Sequence, residues 1–85
     1  MQVIVLSPER TVFDGEADSV VAPAFDGLVG IRPRHAPFLT PLGPGRLRVR
    51  RGDAVSEFRV TGGFIQVRGN TVRVVADRVT ESAPA

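Results

Sequence analysis

One histidine, His35, stands among four scattered serines, Ser7, Ser19, Ser56 and Ser82, and the chain has no cysteine. An imidazole can act as general base for a neighbouring serine hydroxyl. In the commonest local form of that chemistry the serine occupies a strand–Gly-x-Ser-x-Gly–helix turn, and no such pattern occurs. His35 therefore reads as a loop-packing or interface residue. Zinc calls for clusters of Cys and His, and calcium for several oxygens within about a dozen residues. Asp14, Glu16 and Asp18 alternate along what reads as one strand face beside Gly15, the pattern of a solvated strand near a turn. No residue is assigned as catalytic, cofactor-binding or metal-ligating.

Phosphate cradles need a glycine-rich loop entering a helix. Gly62-Gly63 instead leads into a β-branched run, and with Gly43-Pro44-Gly45 it marks a bend or a close backbone approach. All 11 basic residues are arginine, set against nine carboxylates for a net charge of +2, so the basic field is partly cancelled. Arg46, Arg48, Arg50 and Arg51 still cluster, which keeps a small Arg-rich barrel binding single-stranded nucleic acid as the alternative reading. That function needs aromatic platforms for the bases, whereas the chain has no Trp, no Tyr and five dispersed Phe. Arg51-Gly52-Asp53 spells an adhesion tripeptide, but turn chemistry accounts for it.

The elements that must position these residues are strands. Nine Gly and seven Pro punctuate short β-branched runs across 85 residues, and no window carries a helical period. This is one all-β domain, and a fold of this size is marginally stable unless it packs on a partner. Phe64–Arg68 and Thr71–Val75 flank Gly69-Asn70 as a hairpin with a type II′ turn expected, pairing Arg68 with Thr71, Val67 with Val72 and Ile65 with Val74. Arg46–Arg50 and Ser56–Val60 form a second hairpin around Gly52-Asp53, with Leu47 opposite Phe58 inside and Arg48 opposite Glu57 outside. Arg46 opposite Arg59 counts against that register. Val3–Leu6, Thr11–Phe13, Glu16–Ala22 and Val29–Ile31 read as further strands, the first continuously apolar, which suggests burial on both faces or cover by a partner. Pro33, Pro37 and Pro41 make the stretch between Ile31 and Leu42 irregular or confine it to an edge. The N-terminal apolar run is too short for a signal or a span, and the lack of cysteine fits a reducing compartment. Both point to a soluble intracellular protein.

Asp26-Gly27-Leu28-Val29-Gly30-Ile31-Arg32-Pro33-Arg34-His35-Ala36-Pro37-Phe38-Leu39-Thr40 resembles the signature loop of the epsilon subunit of F-type ATP synthases. Ser7-Pro8-Glu9-Arg10 and Phe13-Asp14-Gly15-Glu16 upstream, and Leu42-Gly43-Pro44-Gly45, Gly62-Gly63-Phe64 and Val72 to Asp77 downstream, resemble the family in the same order. The resemblance implies a flattened β-sandwich or barrel of about ten short strands in two sheets, covering residues 1–79; the remaining residues, 80–85, read by composition as a flexible tail. It further implies a non-catalytic central-stalk subunit that clamps gamma and contacts the c-ring, coupling ion-driven rotation to ATP synthesis. No cofactor or nucleic acid is implied. The site would be the cytoplasmic face of the bacterial inner membrane, with membrane association only through the complex. Carried over by position, Ser7, His35 and Thr40 would face gamma, and Asp26, Gly27, Leu28, Val29, Gly30, Ile31 and Arg32 would form the ring-facing loop.

Two departures stand out. Leu28 occupies a position where the family often has a carboxylate, so that contact would be apolar, shifted to Asp26 or differently charged. Arg34 replaces the usual glycine before His35, at a cost if positive φ is needed there, or else it adds a contact to an acidic partner. The family's inhibitory helical hairpin would follow the sandwich, so helix-mediated inhibition and ATP binding are not assigned.

Overall fold

The computed structural model describes residues 1–82, all of its regular structure being strand: β1 Gln2–Leu6, β2 Thr11–Glu16, β3 Ser19–Ala24, β4 Gly27–Ile31, β5 Phe38–Pro41, β6 Gly45–Arg51, β7 Ala54–Thr61, β8 Phe64–Arg68, β9 Thr71–Val75 and β10 Arg78–Ser82. Two five-stranded sheets result, ordered β2-β1-β9-β8-β5 (sheet A) and β10-β7-β6-β3-β4 (sheet B). The expected two-sheet sandwich of ten short strands is thus observed. Every pairing is antiparallel except β1 with β9, which runs parallel from Gln2 opposite Thr71 to Leu6 opposite Val75.

Strand parity explains the sandwich. Successive side chains point to opposite faces, and in β1, β6, β8 and β9 every second residue is a buried aliphatic. Val3, Val5, Ile65, Val67, Val72 and Val74 from sheet A meet Val20, Ala22, Ile31, Leu47, Val49, Phe58 and Val60 from sheet B, with no buried polar or charged residue among the described ones. Phe13 of sheet A and Phe58 of sheet B pack edge-on across the core, ring centroids 6.0 Å apart, a geometry that aromatic quadrupoles favour.

Both expected hairpins hold in register, residue for residue. The turn between β8 and β9 differs: Gly69 and Asn70 have φ of 56° and 58°, a type I′ rather than a type II′ turn. Asn tolerates the left-handed region, and here its carbonyl accepts from the Gln2 amide and its Oδ1 from the Arg34 amide. The awkward pair Arg46–Arg59 does form. Glu57 relieves it, its carboxylate lying 3.4 Å from Arg46 Nη1 and 3.0 Å from Arg48 Nε.

Two boundaries and one burial expectation are corrected. The strand expected from Glu16 to Ala22 breaks at Ala17-Asp18, where the Ala17 amide donates to the Met1 carbonyl and the Asp18 amide to Arg50. Asp18 therefore leaves the strand face that Asp14 and Glu16 share. The tail expected from Thr80 is structured through Ser82, because β10 pairs along the β7 edge; residues 83–85 lie outside the described residues. Of the two expectations for β1, burial on both faces within the domain does not hold, since Ile4 and Leu6 stay half-exposed.

The sheets are joined by glycine-dependent close approaches. Gly63 has φ of 97°, and a Cβ there would collide with the Val75 carbonyl oxygen. Gly43 brings its backbone against Ala24, where a Cβ would lie 2.9 Å from the carbonyl oxygen, and its amide donates to Pro23 at 2.7 Å. We predict that Gly63→Ala destabilises the domain by more than about 2 kcal/mol. Gly52→Asn, at φ 58° with open space around it, should stay within about 0.5 kcal/mol of the parent. Urea midpoints of the two variants check this, and equal midpoints would sink it.

Candidate docking surfaces

Since the inner faces are spent on the core, any function that involves contact must use the outer faces, the edges or the turns. On sheet A, alternate residues place Pro41, Phe64, Val75 and Leu6 in one row across β5, β8, β9 and β1. Leu39 and Ile4 occupy the next row, flanking Gln66 and Arg73. Leu39 is 65% exposed and Phe64 39%. Strand parity could have revealed this band, because it sets Phe64 and Val75 on the same face as Gln66 and Arg73.

The band runs on toward a second apolar feature. The β3–β4 hairpin turns through Phe25-Asp26, between Ala24 and Gly27, and the Phe25 amide donates to the Pro41 carbonyl at 3.2 Å. Ala24 also bridges to Leu42. These contacts brace the turn against the end of β5. Phe25 and Leu28 on either side of Asp26 are the two most exposed large apolar side chains, at 70% and 75%.

The residues singled out from the sequence are distributed around these features. Ser7 follows β1, and its hydroxyl donates to the Arg10 carbonyl at 3.2 Å and accepts from the Arg10 amide at 3.3 Å, closing the turn into β2. Thr40 lies opposite Ile65 on the core-facing side of edge strand β5 and is half-buried. Their strands are three ladder spacings apart, about 14 Å. His35 is exposed in the irregular segment before β5, next to the β8–β9 turn through the Arg34–Asn70 hydrogen bond, and thus at the opposite end of sheet A from Ser7. The three do not converge on one point.

His35 is held locally. Its ring packs edge-on against Phe38 at 5.2 Å, and Nδ1 donates to the Ala36 carbonyl at 2.8 Å. A carbonyl can only accept, so the neutral ring carries its proton on Nδ1 and keeps Nε2 as an acceptor. Arg34 has φ of 67°. The glycine-like conformation is therefore present, and its cost of about 1 kcal/mol is offset by the 2.9 Å bond from the Arg34 amide to Asn70 Oδ1.

The segment expected to form one loop from Asp26 to Arg32 is mostly edge strand. Ile31 is fully buried and Val29 packs on the core, so both hold the fold together. Asp26, Gly27, Leu28, Gly30 and Arg32 are exposed. The carboxylates considered for metal binding each have another contact: Asp14 accepts from Gln2 Nε2 at 2.6 Å, Glu16 pairs with the N-terminal ammonium at 3.2 Å, and Asp18 accepts from the Gly52 amide at 2.6 Å.

The outer face of sheet B is of different character. Arg46, Arg48 and Arg50 alternate along β6, Arg59 lies opposite Arg46, Arg78 opposite Thr61, and Arg32 extends β4. A groove of about 700 Å³ opens over Val21 and Gly30, rimmed by Arg32, Arg48, Arg50 and His35.

Comparison with known proteins gives the family and the fold. Residues 1–82 match the family model described as ATP synthase, Delta/Epsilon chain, beta-sandwich domain. The ATP synthase epsilon chain of Leptospira borgpetersenii is 44% identical over 91% of this chain and 61% of its own length. That of Brevibacillus brevis is 41% identical over 91% and 59%. The chain thus spans little more than half the length of these relatives. A chain in the structure of the Euglena gracilis mitochondrial ATP synthase, OSCP/F1/c-ring, superposes with a TM-score of 0.86 at 18% identity, over 93% of this chain and 51% of that one. One from the central stalk/c-ring structure of the Tetrahymena thermophila enzyme gives 0.77 at 23% identity, over 93% and 64%. At such identities these two likenesses establish the shared fold.

Glu57 is the charge on which the sheet B face balances. Glu57→Gln should cost about 1 kcal/mol at low ionic strength, with the loss shrinking as salt screens the arginines. Urea unfolding at low and high salt measures it; a penalty independent of salt would show that the carboxylate acts through packing instead.

Proposed function

This chain belongs to the family of ATP synthase delta/epsilon chain β-sandwich domains, and we propose that it works as the epsilon-type component of the central rotor, without catalysing a step itself. In this reading it clamps the gamma subunit and contacts the c-ring on the cytoplasmic face of the bacterial inner membrane, so that ion-driven rotation reaches the catalytic head.

The observation that supports this most directly is the exposed apolar band on sheet A. A marginal 85-residue domain that leaves Leu39, Phe64 and Pro41 uncovered on one sheet face gains stability when a partner covers them. Gamma is the partner the reading assigns to that face. Ser7 at one end of the sheet and His35 at the other would then touch separate stretches of an elongated partner. Thr40 would contribute from the edge of β5.

The braced Phe25-Asp26 turn and Leu28 would meet the c-ring. Leu28 cannot form the ion pair that a carboxylate there would offer, so the contact is apolar at Leu28 and Phe25, with Asp26 as the remaining charge.

The test is capture of the cognate gamma subunit by the tagged chain. Leu39→Glu combined with Phe64→Glu should weaken capture at least tenfold, since each puts a charge into an apolar contact. His35→Glu should weaken it by a smaller factor. All three changes lie at exposed positions and should leave the β-sheet circular dichroism intact. Undiminished capture by the folded double variant would refute the sheet A assignment, and failure of the parent chain to retain gamma would refute the rotor reading altogether.

A further inference from the structure

Residues 32–37 carry the chain from β4 in sheet B to β5 in sheet A, and all six are exposed. Little packing holds them. The His35 ring rests on Phe38, and its Nδ1 bond to Ala36 stays inside the segment. The His35 amide donates to the Arg32 carbonyl at 3.2 Å, closing a four-residue turn through Pro33 and Arg34. Among the described residues, only one hydrogen bond of residues 33–36 leaves the segment: the Arg34 amide donates to Asn70 Oδ1 at 2.9 Å.

The form of that turn is not the one its residues favour. The ring of Pro33 fixes its φ at about −65°, and Arg34 follows with φ of 67°, which makes the turn type II. Type II asks for glycine or asparagine at its third residue, whereas type I accepts most residues there. Pro33-Arg34 by itself would therefore take type I, with a negative φ at Arg34 and no steric cost. The two forms differ by a flip of the peptide plane between Pro33 and Arg34, which reverses the directions of the Pro33 carbonyl and the Arg34 amide. Only in type II does that amide point at Asn70 Oδ1. In type I the Pro33 carbonyl would face Oδ1, and the Asn70 side-chain amide would have to turn over as well. Asn70 is firmly placed, because its own carbonyl accepts from the Gln2 amide at 3.2 Å and the Arg68–Thr71 pair closes the ladder beside it.

We propose that Asn70 is the positioning residue of this segment: its Oδ1 selects the type II turn and ties it to the β8–β9 hairpin, so that His35 is presented in a fixed place at that end of sheet A. A stretch exposed throughout and tied at a single point opens locally when the tie is lost. A partner would then have to order it on docking, at a cost in affinity. Asn70 removes that cost in advance, from a turn that is itself anchored to β1. That the partner meeting His35 is gamma rests on the rotor reading; the selection of the turn by Asn70 does not.

Solution NMR of the 85-residue chain follows the turn, and capture of the cognate gamma subunit follows docking. The nuclear Overhauser contact from Pro33 Hα to the Arg34 amide is strong in type II and weak in type I, because the flip carries the amide hydrogen away from that Hα. Asn70→Gly keeps the left-handed conformation at no steric cost and leaves the backbone carbonyl that Gln2 uses, so the core amide signals should not change. It should weaken the type II contact and speed exchange of the Arg34 amide with water by roughly two- to tenfold, the range that one hydrogen bond supplies. Asn70→Asp tolerates the same φ and presents only acceptors, so both signals should stay at the parent's level. Arg34→Gly added to Asn70→Gly should restore the type II contact, since glycine favours that form unaided, but not the slow exchange at position 34. Capture of gamma should fall several-fold with Asn70→Gly and hold with Asn70→Asp. A type II contact undiminished in Asn70→Gly overturns the proposal, and so does a flipped turn with undiminished capture. If the parent chain itself does not retain gamma, the rotor reading falls, and the Pro33–Arg34 contact alone decides the role of Asn70.

Discussion

Everything in this molecule depends on the packing of two inner sheet faces made almost wholly of short aliphatic side chains. Eight of its core residues are valine, and Phe58 is the one fully inward aromatic of the buried set. Branched side chains of this size suit the pleated surface and lose little rotamer freedom on burial. With 85 residues, no disulfide and no buried ion pair among the described residues, the shared core must do the work alone. That constraint decides what the remaining residues can be. All charge is pushed outward, and the surface carries whatever specificity the protein has.

The two outer faces divide that surface by chemistry. Sheet A presents an apolar band crossing four of its strands, while sheet B presents guanidinium groups around a shallow groove. The β3–β4 turn lies where the two meet, held by the Phe25–Pro41 hydrogen bond and the Ala24–Leu42 bridge. Such a body can be covered on one side and remain hydrated on the other.

Alternation makes much of this legible in the amino-acid sequence. The registers of β6–β7 and β8–β9 follow from parity because a shift by one residue would bury arginines, and both are observed. The ordered motifs around His35 point to the family, which the family model and the relatives bear out. What parity cannot supply is tertiary. The break at Ala17-Asp18 depends on hydrogen bonds to Met1 and Arg50, and β10 exists only because β7 offers an edge. The I′ turn depends on Gln2 and Arg34 engaging Asn70 from elsewhere in the chain. The separation of Ser7 from His35 is hidden for the same reason, because no local rule says that β9 and β8 lie between β1 and β5.

The parallel pairing of β1 with β9 has a consequence for how the chain reaches this state. The first strand of sheet A pairs with Thr71–Val75, so the sheet cannot close until the chain has been made through β9. Sheet B hairpins can form from local contacts before then, but β1 and β2 must wait as a two-stranded ribbon, which is marginal by itself in water. Entropy is lost on closing so long a loop before any burial repays it, which puts the molecule among slow, topologically non-local folders. In that waiting ribbon both faces are bare, Val3 and Val5 as well as Ile4 and Leu6, and that apolar surface is what a nascent-chain chaperone would meet.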